Sequence, residues 1–172
     1  MAICLSNIYT ARAGVLPFTI RNEYIYFLLA VDCGTQEYCD FGGGRKKYET
    51  SLSTSLREFK EETRNILPSH YYDQNYVSNC ISIVDGTKNA ITFIPLQEIH
   101  CTDIFQKFEC TTLSHKSNME ISNMCWVSGT NLNNMVKHKD RVLWKKLRFV
   151  LENINTRELY EHLHTSYSLS YQ

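Results

Sequence analysis

The chain has 172 residues, with 18 Lys and Arg balanced by 18 Asp and Glu, so its formal net charge is zero. That balance argues against a whole-surface field for nucleic acid or a membrane. No apolar run reaches the roughly 20 residues that cross a bilayer. A hydrophobic fraction of 43% supplies a core of domain size, so residues 1–172 are expected to form one domain.

In chain order, residues 14–20 and 23–32 read as strands with Arg21-Asn22 turning between them. Tyr24, Tyr26 and Phe27 are strand formers, and the apolar run to Val31 predicts burial on both faces. Residues 33–48 read as a loop. Its three consecutive glycines at 42–44 require a sharp bend or a close approach of backbone to a neighbour. A helix is predicted from about Ser51 to Ile66, with Thr50 or Ser51 as N-cap and Pro68 as the stop. Leu52, Leu56, Phe59, Thr63 and Ile66 recur at helical spacing and form its inward stripe. Strands follow at 76–84 and 90–96, joined at Asp85-Gly86. Residues 97–118 are mixed, with Phe105 and Phe108 marking a short strand or a turn of helix. Residues 120–127 read as a strand and 140–154 as an amphipathic helix burying Val142, Leu143, Leu147, Val150, Leu151 and Ile154. From about residue 165 the tail is polar and expected to fray. The order implies an α/β fold with helices on the faces of a mixed sheet; the βαβ alternation of a doubly wound sheet is lacking.

The seven cysteines form no C-x-x-C pair, so a zinc-finger pattern is unsupported. Their odd number, and an opening without a basic and then apolar leader, lead us to expect a cytoplasmic protein. The histidines at 70, 100, 115, 138, 162 and 164 show no metal-ligand spacing.

The segment from Gly43 to Asn65 is the most informative. It sets Glu49, Arg57, Glu58, Glu61 and Glu62 at fixed intervals behind a glycine turn. Like charges three and four apart on a helix repel, and a bound divalent cation would reverse that penalty. Glu58 and Glu62 stack one turn apart on a single face. Carboxylates in such a stack suit Mg²⁺ or Mn²⁺, hard ions that keep positions open for water and phosphate oxygens. Glycine backbone beside the helix start can add a carbonyl ligand, and Arg57 can orient the carboxylates. The natural chemistry is attack of water on a phosphoanhydride.

This spacing resembles the Nudix box, G-x5-E-x7-R-E-U-x-E-E-x-G-U, where U is a bulky apolar residue. Gly43, Glu49, Arg57, Glu58, Phe59, Glu61 and Glu62 match in register. Arg64 stands where the pattern has glycine and Asn65 where it has an apolar residue; Ile66 is apolar one place late. The resemblance implies an α/β/α sandwich around a mixed sheet. It implies a Mg²⁺- or Mn²⁺-dependent pyrophosphohydrolase that cleaves a nucleoside diphosphate linked to a further moiety. It also implies that Glu58, Glu62 and Glu61 are ligands, with Glu61 alternatively supporting a base, and that the Gly42 carbonyl is the backbone ligand. Glu49 and Arg57 are implied as the pair joining loop to helix around Gly43. A later-loop acid often completes such sites. Glu120 is the candidate, with Glu98 and Glu109 as rivals, and the general base is either Glu58 or such an acid.

Arg45, Lys46 and Lys47 lie between the glycines and Glu49, where they read as a solvated basic loop or as a clamp for a phosphate-rich substrate. Phe18, Tyr24, Tyr26 and Tyr38 could stack a base, although core packing explains each of them. Two further functional readings stay open. One is a catalytically silent nucleotide-binding or sensor module, prompted by Arg64 and Asn65. The other is hydrolysis of capped RNA or of diphosphoinositol polyphosphates. Neutral charge disfavours RNA as a partner. Many Nudix relatives dimerise, so a homodimer stays open as well.

Overall fold

The computed structural model describes residues 5–114 and 120–171 and is organised on a seven-stranded mixed sheet. Its strands are β1 (Arg12–Arg21), β2 (Tyr24–Asp32), β3 (Tyr38–Cys39), β4 (Phe41–Gly44), β5 (Ile81–Asp85), β6 (Asn89–Pro95) and β7 (Ile121–Ser128). β1 and β2 start as a tight hairpin. Asn22 and Glu23 both take positive φ, 48° and 68°, the backbone of a type I′ turn. The two strands pair only from Phe18↔Phe27 to Arg21↔Tyr24 and then part. In the gap, β4 pairs with the first half of β1 (Arg12↔Gly44 to Val15↔Phe41), and β3 pairs with the far half of β2 (Ala30↔Cys39, Val31↔Tyr38). The glycine segment is thus wedged into the splayed centre of the sheet. β6 runs parallel to β1 on its other edge, β5 lies antiparallel outside β6, and β7 lies antiparallel on the outer edge of β2.

Helices cover both faces. They are α1 (Ser51–Glu62), α2 (Gln74–Ser78), α3 (Glu98–Cys101), α4 (Ile104–Ser114), α5 (Gly129–Lys137), α6 (Lys145–Glu152) and α7 (Thr156–Leu169). Alternate strand residues feed two apolar cores. Ala13, Val15, Leu28 and Ala30 pack with Leu52 and Phe59 of α1, Val77 of α2 and Phe108 of α4. Leu16, Phe18, Phe27 and Leu29 pack with Leu132 of α5, Leu147 and Val150 of α6, and Leu159 and Leu163 of α7. Cover on both faces is why the first two strands read as continuous apolar runs. Among the described residues no helix is long and apolar enough to cross a membrane.

The structure moves several predicted boundaries. The first helix ends at Glu62 rather than Ile66, because Arg64 and Asn65 both turn left-handed, each with φ 55°. Residues 76–78, expected in a strand, belong to α2. Asp73 caps that helix, its side chain accepting from the Asn75 and Tyr76 N–H groups, and β5 starts only at Ile81. The helix expected over 140–154 begins at Lys145. Its first residues are drawn into an edge pairing instead, with Tyr38 N–H donating to the Val142 carbonyl and Trp144 N–H to the Tyr38 carbonyl. The tail expected to fray from about 165 is helical to Leu169. Asn155 caps α7, the Tyr167 ring lies 6.1 Å from Phe18, and the Tyr171 hydroxyl donates to the Pro95 carbonyl at 2.8 Å.

Candidate functional site

α1 is fixed first by its own sequence. Thr50 and Ser53 form a reciprocal capping box: Thr50 Oγ1 accepts from the Ser53 N–H at 3.2 Å, and Ser53 Oγ accepts from the Thr50 N–H at 2.8 Å. Small buried residues, Ser51, Thr54 and Ser55, let the helix sit close on β1, where Ser55 Oγ donates to the Gly14 carbonyl at 3.3 Å. That closeness brings Glu58, 8% exposed, down onto β4. A Cβ at Gly43 would clash with the Glu58 carboxylate, and one at Gly42 would stand 2.8 Å from the Ala13 carbonyl. The glycines are required here because a carboxylate and a neighbouring strand occupy the space of their side chains.

Arg57 gathers the acidic residues around it. Its Nε and Nη2 donate to the two oxygens of Glu49 at 2.7 and 3.0 Å, a bidentate pair. Nη1 donates to Glu58 Oε1 at 2.5 Å and to Glu61 Oε2 at 3.2 Å, and Nη2 also reaches the Gly44 carbonyl at 3.0 Å. One guanidinium therefore ties β4, the basic loop and two turns of helix together. Glu49 accepts further bonds from the Lys46 N–H and Thr54 Oγ1. The Arg57 bond leads in lowering the Glu49 pKa to about 2; burial opposes it, and the Lys46 and Thr54 bonds add to it.

Glu62 is the anomaly. Its Oε2 is sealed from solvent and has no hydrogen-bond partner among the described residues. Burial first, then the charges of Asp40 and Glu58, push its pKa up to about 9; Arg12 opposes the shift and Glu120 adds to it. Behind it lies a buried ion pair spanning 28 positions of sequence. Arg12 Nη1 and Nη2 donate to the Asp40 carboxylate at 2.8 and 3.0 Å, and Nη2 donates also to the Gly42 carbonyl at 3.0 Å. The guanidinium stacks 4.5 Å from the Trp144 ring. Burial acts to lower the Arg12 pKa, but the charge and hydrogen bonds of Asp40, together with the charge of Glu62, carry the net shift upward.

Past the carboxylates, α1 closes in a Schellman turn. The Asn65 N–H donates to the Lys60 carbonyl and the Arg64 N–H to the Glu61 carbonyl. Arg64 stands at the left-handed residue where glycine is usual, so the departure from the box pattern leaves the carboxylate end of the helix closed.

The remaining sequence candidates separate clearly. Glu120 lies at the mouth of β7, near enough for its charge to act on Glu62. Glu98 pairs with Arg21, at the opposite end of β1 from the glycines. Glu109 is exposed on α4. Arg45, Lys46 and Lys47 are exposed next to Glu49. Arg45 lies over the Tyr9 ring and Lys47 over Tyr48, at 5.7 and 5.0 Å. Phe18 is fully buried and has no surface to offer a base. His100 Nδ1 bonds the Tyr71 hydroxyl at 3.0 Å within an aromatic cluster, and His115 falls outside the described residues. Sequence reasoning missed Arg12 and Asp40. The one signal for Arg12 was a charged residue leading into an apolar strand.

The chemistry of the donors fits a hard divalent ion: the orphaned Glu62 oxygen feels the charge of Glu58, and Arg12, whose charge also acts on Glu62, holds the Gly42 carbonyl, so all the candidate ligands are oxygens. Among the described residues no three acidic, His or Cys side chains already converge as a metal cage. An ion would draw on a subset of these groups together with water and substrate oxygens.

No family model and no curated protein matches the sequence. Solved structures do match. A Nudix hydrolase from M. smegmatis, RenU, superposes with a TM-score of 0.53 at 13% identity, over 91% of this chain and 87% of that one. A C. elegans Ap4A hydrolase aligns at 17% identity and a TM-score of 0.45, over 84% of this chain and 95% of its own. At such identities the first likeness speaks for the architecture: the chain has the Nudix fold.

Proposed function

We propose that this Nudix-fold chain is a Mg²⁺- or Mn²⁺-dependent pyrophosphohydrolase acting on a phosphoanhydride bond of a nucleoside diphosphate derivative. The observation that carries the reading is the buried, unpartnered Glu62 oxygen set among Glu58, Asp40 and Glu120. A fold gains nothing from crowding carboxyl groups around such an atom unless a cation is to complete it. Glu58, Glu61, Glu62 and the Gly42 carbonyl would hold the ion. When bound, it supplies neutralising charge to the phosphate oxygens.

The rest falls to the chain. Arg57 and Glu49 hold the helix against the glycine strand, so the carboxylates keep their spacing. Arg12 fixes the Gly42 carbonyl from behind. Arg45, Lys46 and Lys47 receive outer phosphates of the substrate. Glu120 or Glu58 accepts the proton of the attacking water. Arg64 speaks against a silent sensor, because it keeps the helix end closed despite departing from the box.

The test is a release assay with Mg²⁺ or Mn²⁺ on nucleoside diphosphate derivatives, dinucleoside polyphosphates, capped RNA and inositol pyrophosphates. Wild type should turn over at least one class, and Glu58→Gln and Glu62→Gln should each lower that turnover by orders of magnitude while remaining folded. Full activity in either variant would sink the assignment, and binding without turnover of any compound would favour a sensor.

A further inference from the structure

Arg64 occupies a position that suits glycine, with φ 55° at the closing turn of α1. A side chain there costs backbone energy that glycine avoids. The Arg64 guanidinium carbon lies over the Phe108 ring, 3.6 Å from its centroid. Its Nη1 donates to the Phe108 carbonyl at 2.8 Å, near the middle of α4, and its Nη2 to the Ile121 carbonyl at 3.1 Å, at the first residue of β7. Ile121 directly follows Glu120, whose own carbonyl accepts from the Cys33 N–H at 2.7 Å. Two successive carbonyls at Glu120 and Ile121 are therefore held from different elements.

The sheet needs such help here. Pairing of β7 with β2 shifts register between Val31 and Asp32, so the ladder is irregular where β7 begins. An irregular ladder does not by itself fix which way the first residues point. Arg64 follows Glu62 by two residues, so the helix end that carries Glu62 is stapled to the strand mouth that carries Glu120.

We propose that Arg64 is a positioning residue: by bridging α1, α4 and the start of β7 it holds Glu120 at a fixed distance from the carboxylates of α1. Its kinetic consequence rests on the hydrolase reading above; its structural consequence does not. Arg64→Gly keeps a residue suited to the turn and removes the bridge, while Arg64→Lys keeps the charge and removes the planar fork.

Two measurements decide. In steady-state kinetics, Arg64→Gly and Arg64→Lys should each lower kcat about ten- to a hundredfold with KM little changed. In a Glu120→Gln background neither should lower it further, since residues acting as one unit are non-additive. In hydrogen exchange, the Cys33 amide, which reports the Glu120 carbonyl, should exchange at least about tenfold faster in Arg64→Gly, with the amides of β6 unchanged. Losses that multiply, an unaffected Glu120→Gln enzyme, or wild-type protection at Cys33 would each overturn the proposal. If wild type cleaves nothing in the substrate panel, the hydrolase reading fails separately and the exchange at Cys33 alone decides the role of Arg64.

Discussion

Neutralising Glu62 should make the metal-free protein more stable and, at the same time, indifferent to metal. The folded pKa of Glu62 is about 9 against an ordinary 4.5. Between those values the folded state keeps a proton that the unfolded state has released, so stability falls as pH rises through that window. The slope is about 1.4 kcal/mol per unit, and pH 7.5 lies about three units into the window, an upper bound near 4 kcal/mol. Local relaxation brings the expected cost to roughly 2–4 kcal/mol, or about 5–15 °C for a domain of this size. The Glu49 carboxyl does not mask the effect. Its pKa is depressed to about 2, so its stabilisation is complete above the ordinary carboxylate range and is lost progressively as pH falls from about 4.5 to about 2, below the range from pH 5 to 9. Thermal unfolding in chelator, from pH 5 to 9, should show wild type losing stability with rising pH and Glu62→Gln staying nearly flat and more stable at pH 7.5. Adding Mn²⁺ should raise wild type most at high pH, where the carboxylate forms, and leave the variant little changed. A flat metal-free profile in wild type, or equal metal stabilisation in both proteins, would refute the reasoning.

Gly43→Ala places a methyl group on the Glu58 carboxylate and should lower turnover about a hundredfold with native circular dichroism; wild-type kcat would show that Glu58 does not need its place. Arg12→Met strands the buried Asp40 carboxylate and should cost about 3–5 kcal/mol in denaturant unfolding, whereas pairing it with Asp40→Leu should recover most of that loss. Tyr48 has φ 71° in the turn closed by the Glu49 N–H on the Lys46 carbonyl, and its ring is 85% exposed. Tyr48→Gly should therefore stabilise the fold by about 0.5–1 kcal/mol, the relief of strain less the extra entropy of glycine, read as a small rise in Tm. Replacing Arg45, Lys46 and Lys47 together with Gln should raise KM and flatten its dependence on salt while kcat holds, because exposed cations act through screened attraction; an unchanged KM would return the loop to a solvated role.

What could be read from the chain was whatever short-range geometry dictates. The carboxylate spacing from Glu58 to Glu62, the cap at Thr50 and the buried face of Leu52 and Phe59 follow from the helical repeat and from side chains bonding their own backbone. They held when the helix was placed in the fold. The same local rules failed where a distant partner intervened. Val142 and Leu143 carry a helical pattern, yet Tyr38 recruits the backbone of Val142 and Trp144 into an edge pairing. The stretch after 165 is polar in composition, yet Tyr167 and Tyr171 are anchored by Phe18 and Pro95, contacts that no window of sequence contains.

The box pattern, by itself, determined that Arg57, Glu58, Glu61 and Glu62 share one helix behind a glycine turn, because a helix of fixed pitch leaves their relative places no freedom; that the glycines form a strand, β4, was decided by pairing with β1. Only the tertiary structure decided the electrostatic state of the carboxylates. The splay of β1 from β2 admits the glycine strand beside Arg12, and Asp40 enters with it. Glu120 comes in from the far side of the chain. Burial in the fold seals one oxygen of Glu62 and, with the charges of Asp40 and Glu120 from remote parts of the chain, raises its pKa against Arg12, since the cost of ionising a carboxyl group is set by what surrounds it in space.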